Sequence, residues 1–328
     1  MPAWSAMAAR ERWKPTEILF WIAVASVYFV FPQNLVLATQ ILIAGLFALS
    51  LDLILGYAGI VTLGHAAFFG VGAYTAGLLA RYGWGEPFSG LLCAAVVAAL
   101  VGWITSLLVL RGGDLARLMT TLGIAALLSE IANRATPITG GVDGLQGVEM
   151  AKIFGLFGFD MYGRVGFVYT FAVVLLLFIA ARSWINSPYG LSLRTIRENA
   201  VRARAIGVPL DRRLVTAYVV AAALAGVAGA LLTQTTQFVG LDVLSFQRSA
   251  NLLIMLIIGG TATLYGGFVG AALFILVQDR LANINPVYWL FWLGILLILT
   301  TLFLRRGVVG GLIALRDRRR RVREDLAA

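Results

Sequence analysis

The sequence predicts an all-α integral membrane protein: a polytopic helix bundle with broken or re-entrant helices. Three observations carry that expectation. Of 328 residues, 60% are apolar and only 13% charged, too little charge to cover a water-facing surface of this size. The apolar residues come in long runs, such as Phe167 to Ala181, and about 20 such residues wound as a helix match the roughly 30 Å hydrocarbon core of a bilayer. Two of the apolar stretches are interrupted by glycine clusters. Lipid offers no partners for free backbone groups, so a broken helix at membrane depth must be buried in protein or line a cavity.

The elements follow in order. Arg10, Arg12 and Lys14 precede an apolar stretch from Ile18 to Phe31. That pattern resembles a signal peptide, but no strong small-x-small cleavage site precedes Pro32, so an uncleaved first helix is expected. Residues 1–16 form an N-terminal segment, and 17–304 the membrane domain. Helices are predicted at 17–31, 35–55, 57–80, 88–110, 115–132, 165–184, 214–237 and 287–304. A basic tail follows at 305–328, where Arg316, Arg318 to Arg321 and Arg323 suit anionic lipid headgroups.

Charge sets the expected orientation, because loops rich in Lys and Arg stay cytoplasmic. With the N-terminus inside, Arg111 and Arg117 fall inside after four crossings. The loop 185–213 falls inside after six, and carries Arg194, Arg197, Arg202, Arg204, Arg212 and Arg213 against Glu198 and Asp211. The connection 133–164 falls outside. For the C-terminal tail to be inside, 251–280 must cross an even number of times. It is too short for two full spans, and its centre, Gly259-Gly260-Thr261-Ala262-Thr263-Leu264-Tyr265-Gly266-Gly267, breaks helices. Two half-helices forming a re-entrant hairpin are expected.

An earlier segment is broken in the same way, from Gly56-Tyr57-Ala58-Gly59 to Gly70-Val71-Gly72-Ala73. Thr62-Leu63 through Gly72-Ala73 parallels Thr263-Leu264 through Gly270-Ala271, so the two are candidates for an inverted repeat. Paired broken segments point to a solute pathway. Small residues at Gly72, Ala76 and Ala80, and at Ala222, Gly226 and Ala230, suit close helix contact.

Composition also excludes functions. The +10 net charge sits in short clusters between apolar runs, as in cytoplasmic loops, and no nucleic-acid partner is expected. Cys93 is the only cysteine and His65 the only histidine, so neither a multi-cysteine nor a two-histidine metal site can form. Lys14 and Lys152 lie in no P-loop, and no G-x-S-x-G occurs. The chain is read as a non-enzyme without cofactor or metal. His65, in an apolar glycine-rich segment, either bonds backbone carbonyls or lines a pathway. Asp52 and Glu130 stand near predicted helix ends, where acids reach headgroup water.

Within the inner loop, Pro188 and Gly190 make a turn. A short helix fits from Leu191 to Ile206, ended by Gly207 and Pro209. Leu193, Ile196, Ala200, Ala203 and Ile206 share one face, suited to a membrane surface or a groove on a cytosolic partner.

Gly56 to Tyr74 resembles the signature of branched-chain amino acid ABC transporter permeases of the LivM type. Thr139-Gly140-Gly141-Val142-Asp143-Gly144-Leu145 resembles the outer-loop motif of that family. Ser187-Pro188-Tyr189-Gly190, Arg197-Glu198-Asn199 and Ala205-Ile206-Gly207 resemble its ATPase-docking loop. Gly259-Gly260 to Gly270-Ala271 and Arg306-Gly307-Val308-Val309-Gly310 fit its last third. The motifs run in order over about residues 35–315. The resemblance implies a machine of two related permeases, two cytosolic ATPases and an extracytoplasmic solute-binding protein. It implies ATPase docking by Arg197, Glu198, Asn199, Ala203 and Gly207. The substrate pathway is expected along Thr62, His65, Phe69, Gly259, Gly260 and Thr261. Ile60 and Thr62 stand where the family often has Gln and Ser, which bears on the cargo. Ala200 and Arg202 also depart from its pattern, which bears on the ATPase match. The expected cargo is leucine, isoleucine and valine. The alternatives are urea, amides or aromatic acids in the same machine, an ion-coupled secondary transporter using Asp52, Glu130 or His65, and a non-transporting scaffold or receptor.

Overall fold

A computed structural model describes residues 15–286 apart from Phe154 and Met161, with isolated positions between 288 and 311. The expected last helix at 287–304, the tail at 305–328 and most of 1–16 lie outside the described residues. The helices are α1 Pro15–Val30, α2 Leu35–Asp52, α3 Ala66–Arg81, α4 Pro87–Val109, α5 Asp114–Arg134, α6 Arg164–Asn186, α7 Pro188–Glu198, α8 Ala200–Ala205, α9 Leu210–Thr236, α10 Phe246–Gly259 and α11 Gly266–Ile284. A π-helical turn, Leu53–Tyr57, extends α2. Six of these units are long and apolar enough to cross a membrane, among the described residues: α2 with its π turn, α4, α5, α6, α9 and α11.

Local chemistry starts the helices. Glu86 caps α4 by accepting from the Ser89 N–H at 2.8 Å, with Pro87 at the first helical position. Ser187 caps α7 ahead of Pro188, and Ser245 caps α10 by accepting from the Arg248 N–H at 3.2 Å. In each case a side-chain oxygen satisfies a backbone donor that the first helical turn leaves free.

Helix α9 runs through the centre and packs against α4, α3 and α2. The small-residue stripes make this possible. A Cβ on Gly72 would fall 2.0 Å from the Gly226 carbonyl oxygen, and one on Gly226 would fall 2.4 Å from the Ala98 Cβ. With no hydrophobic drive between helices in lipid, such close backbone approach is what dispersion contacts need. A buried ion pair, Arg182 to Glu17 at 3.1 Å, ties α1 to α6.

The second glycine-broken segment is an antiparallel helical hairpin, whereas α2 and α3 of the first touch near the break. In the first, Ser50 of α2 meets His65, and Phe47 meets Phe69 of α3. Between them Ala58–His65 is not helical. In the second, Gly259 of α10 lies against Gly266, and Met255 against Gly270 of α11. The segment 133–163 closes over the end of the bundle away from α7. There Leu145 pairs with Val239 and the Ala151 N–H donates to the Gly85 carbonyl at 2.9 Å.

Four expectations need correction. Residues 57–80 are not one helix: it begins at Ala66, after a π turn and a non-helical run. An unbroken apolar run does not distinguish helix from buried irregular chain. Helix α9 starts at Leu210 rather than 214, because Asp211, Arg212 and Arg213 complete its first turn. The half-helices expected within 251–280 are longer. Helix α10 has 14 residues and α11 has 19, roughly 21 and 28 Å at 1.5 Å per residue. Gln247, Arg248, Asp279 and Arg280 hid their outer turns. The helix expected from Leu191 to Ile206 is two helices that start at Pro188 and break at Asn199.

Candidate functional site

The residues best placed to act together meet at one end of the bundle, where α7 packs on the π turn of α2 and lines a cavity with the α10–α11 turn. The π turn shifts the end of α2 out of α-helical register. Such bulges are rare and concentrate at functional sites. Asp52, at the last α-helical position, is fully buried. Its carboxylate accepts the Ala262 N–H at 2.6 Å and the Leu264 N–H at 3.3 Å. Ala262 and Leu264 have φ of 60° and 57°, the left-handed region that residues with a Cβ seldom occupy. The Tyr57 hydroxyl donates to the Ala262 carbonyl at 3.2 Å. Both backbone groups of Ala262 are therefore held by the end of α2.

Gly56 permits this approach. A Cβ there would sit 2.0 Å from the Asp52 Oδ1 and 2.7 Å from the Ala262 nitrogen. Its carbonyl accepts from the Arg197 guanidinium of α7, and Arg194 lies over the Tyr57 ring, 5.2 Å from its centroid. A cavity of about 480 Å³ opens here, lined by Gly56, Tyr57, Arg194, Arg197, Glu198 and Ala262. Gly307 packs on the second turn, where a Cβ would fall 2.4 Å from the Gly260 Cα.

The expected docking residues lie on α7 and α8. Arg197 and Glu198 close α7 and are exposed. Asn199 has extended backbone, and its side chain accepts from the Arg202 N–H at 2.9 Å, capping α8. Ala203 is fully buried, and Gly207 turns the chain with φ 86°. Of the expected apolar face, Leu193, Ile196 and Ala203 are buried, whereas Ala200 is exposed and Ile206 is 68% exposed. The break at Asn199 takes Ala200 and Ile206 off the bundle and leaves Ala203 packed on it.

The expected pathway residues form a second group, deeper in the bundle. His65 stacks on Phe47 and shares a 2.8 Å hydrogen bond with Ser50. The Ser50 hydroxyl donates to the Phe47 carbonyl at 2.6 Å, so His65 Nε2 carries the proton of that bond. Its Nδ1 and the Thr62 hydroxyl have no partner among the described residues. Phe69 packs on Phe47, with Arg248 5.5 Å from its ring centroid. Thr62, His65 and Phe69 are all buried. Gly259 and Gly260 are buried at the second turn, and Thr261 is partly exposed. Hence the two glycine clusters meet at Tyr57 and Ala262, while Thr62, His65 and Phe69 stand apart from the 480 Å³ cavity.

Asp52, Gly56, Tyr57, Arg194, Ala262 and Leu264 complete the first group. An acid inside an apolar run is the one signal that marks Asp52 in the sequence. Glu130 lies exposed and pairs with Arg134 at 2.5 Å.

The family model for the branched-chain amino acid transport system permease component matches residues 34–301. The high-affinity branched-chain amino acid transport system permease protein LivM of Salmonella typhimurium is 30% identical over 313 residues, spanning 88% of this chain and 72% of that protein. LivM of Escherichia coli gives the same identity and coverage. A probable branched-chain amino acid transport permease protein LivH of Methanocaldococcus jannaschii is 31% identical over 195 residues, 57% of this chain and 61% of the relative. No solved structure matches.

Proposed function

The chain belongs to the branched-chain amino acid transport permease family, and from that premise we propose that it is a membrane-spanning subunit of a binding-protein-dependent ABC importer for leucine, isoleucine and valine. It is a transport subunit without an ATPase site of its own. ATP is hydrolysed by two cytosolic ATPase subunits that dock on α7 and α8, a second homologous permease completes the channel, and an extracytoplasmic binding protein delivers the solute. The helix pair lies on the cytoplasmic side, as do both termini, and the 133–163 segment lies outside.

One observation carries this reading. The short helix α7, set between two spans, bonds through Arg197 to the Gly56 carbonyl at the broken end of α2. A force applied to α7 from the cytosol therefore acts on the part of the bundle whose irregular backbone suits a solute pathway. The basic loop favours a partner with acidic groups.

The test is uptake of labelled leucine by membrane vesicles holding this chain with its cognate permease, ATPases and binding protein. ATP-dependent accumulation, competed by isoleucine and valine, is the expected result. Binding-protein-stimulated ATP hydrolysis without leucine uptake would move the cargo to urea, amides or aromatic acids. Uptake that ignores ATP and collapses with the proton gradient would overturn the importer reading.

A further inference from the structure

We infer that Asp52 is a positioning residue of the transport cycle, holding the α10–α11 turn in a left-handed shape and tying it to the helix end that α7 grips. The inference rests on the importer reading for what moves α7. The tie itself rests on geometry.

Three features converge on it. A carboxylate buried within a membrane bundle is expensive and persists where it makes specific bonds. Asp52 makes two, at 2.6 and 3.3 Å, to the N–H groups of Ala262 and Leu264. Those residues sit at φ of 60° and 57°, a conformation that persists where the surroundings over-determine it. The turn is thus held from outside itself. Meanwhile Arg197 donates to Gly56, four residues beyond Asp52 on the same helix end, and Tyr57 donates to the Ala262 carbonyl at 3.2 Å. A displacement of α7 reaches the turn through Gly56, Tyr57 and Asp52 without crossing a flexible linker. Gly307 packs against Gly260 at the start of the same turn. With the turn gripped, α10 and α11 shift with α7; with the grip lost, α7 moves alone.

The geometry sets the test. Asp52→Asn keeps the volume but turns an amide NH₂ toward one of the two backbone donors. In the assembled complex in lipid nanodiscs, hydrogen exchange of the peptide covering 260–265 should be at least about 10-fold faster in D52N, because one of the two amide protons loses its acceptor and the turn loosens. In proteoliposomes, leucine taken up per ATP hydrolysed should fall about 10-fold while binding-protein-stimulated hydrolysis stays within about 2-fold of the unsubstituted complex, as expected when a shared two-state element is uncoupled. A residue that merely supports the fold would lower uptake and hydrolysis together, and that parallel loss would overturn the inference. So would unchanged exchange or an unchanged ratio. Should D52N fail to assemble with the ATPases, Tyr57→Phe removes one hydroxyl bond to the same turn. It should lower the uptake-to-hydrolysis ratio about 2- to 5-fold, and an unchanged ratio there overturns the inference as well. Failure of the importer reading is distinguishable, since the unsubstituted complex would then show no ATP-driven uptake.

Discussion

At the scale of single residues, Gly56 shows how little space the site leaves. A methyl group there meets a carboxylate oxygen at 2.0 Å and a backbone nitrogen at 2.7 Å, and contacts under 3 Å cannot stand. Gly56→Ala is expected to push the α10–α11 turn off Asp52. Overpacking of this kind costs about 1–3 kcal/mol, so the detergent-solubilised protein should melt at a lower temperature and uptake should fall; an unchanged melting temperature would contradict the packing described. The sequence makes Gly56, Gly59 and Gly64 legible as helix breakers. It does not reveal that the Ala262 N–H meets Asp52, because that contact joins residues 210 positions apart, and no local pattern encodes it. His65 was legible as an intramembrane group needing a partner, and Ser50 is that partner. The Thr62 hydroxyl and the second nitrogen of His65 are buried without a hydrogen-bond partner among the described residues, and such atoms either bear a cost or meet water or solute.

At the scale of elements, the helix pair α7–α8 depends on Asn199. Its side chain caps α8, a helix of six residues that is too short to be stable by itself. Asn199→Ala should cost about 0.5–2 kcal/mol of local stability, loosening α8 and weakening co-purification of the ATPase subunits while leaving membrane insertion intact. Equal recovery of the ATPases would show that α8 is not part of the docking surface. The spans were legible where runs are long and uncharged, as in α4 and α6. They were misjudged where charges enter a helix: Arg212 and Arg213 in α9, Gln247 and Arg248 in α10. Polar residues at a membrane boundary belong to the helix as often as to the loop. A break near Gly59 and Gly64 was legible, but the π turn and the extent of the non-helical run Ala58–His65 were not, since tertiary contacts decide between them and continued helix.

At the scale of the whole molecule, α2 and α9 form the interior, while α4 and α5 expose large apolar side chains such as Leu92, Trp103, Leu108, Met119 and Leu127. Such a surface suits lipid and a second permease. The end bearing α7 is basic. None of Arg194, Arg197, Arg202, Arg204, Arg212 or Arg213 forms an ion pair among the described residues. Glu198, exposed at the rim of the cavity, is the acid in that field. Glu198→Arg should lower ATP-driven uptake several-fold by altering the fit to the partner, with amounts in the membrane unchanged; uptake equal to the unsubstituted complex would remove Glu198 from the docking surface. The non-helical run Ala58–His65 has a further consequence, for biogenesis. Its end is held by late-made residues: the Ala66 N–H donates to the Ser249 hydroxyl at 3.0 Å, and the Leu63 N–H to the Thr121 hydroxyl at 3.4 Å. Ser249 leaves the ribosome 183 residues after Ala66. Until then the Ala66 N–H lacks that acceptor, so the start of α3 reaches its final bonding only after α10 has been made.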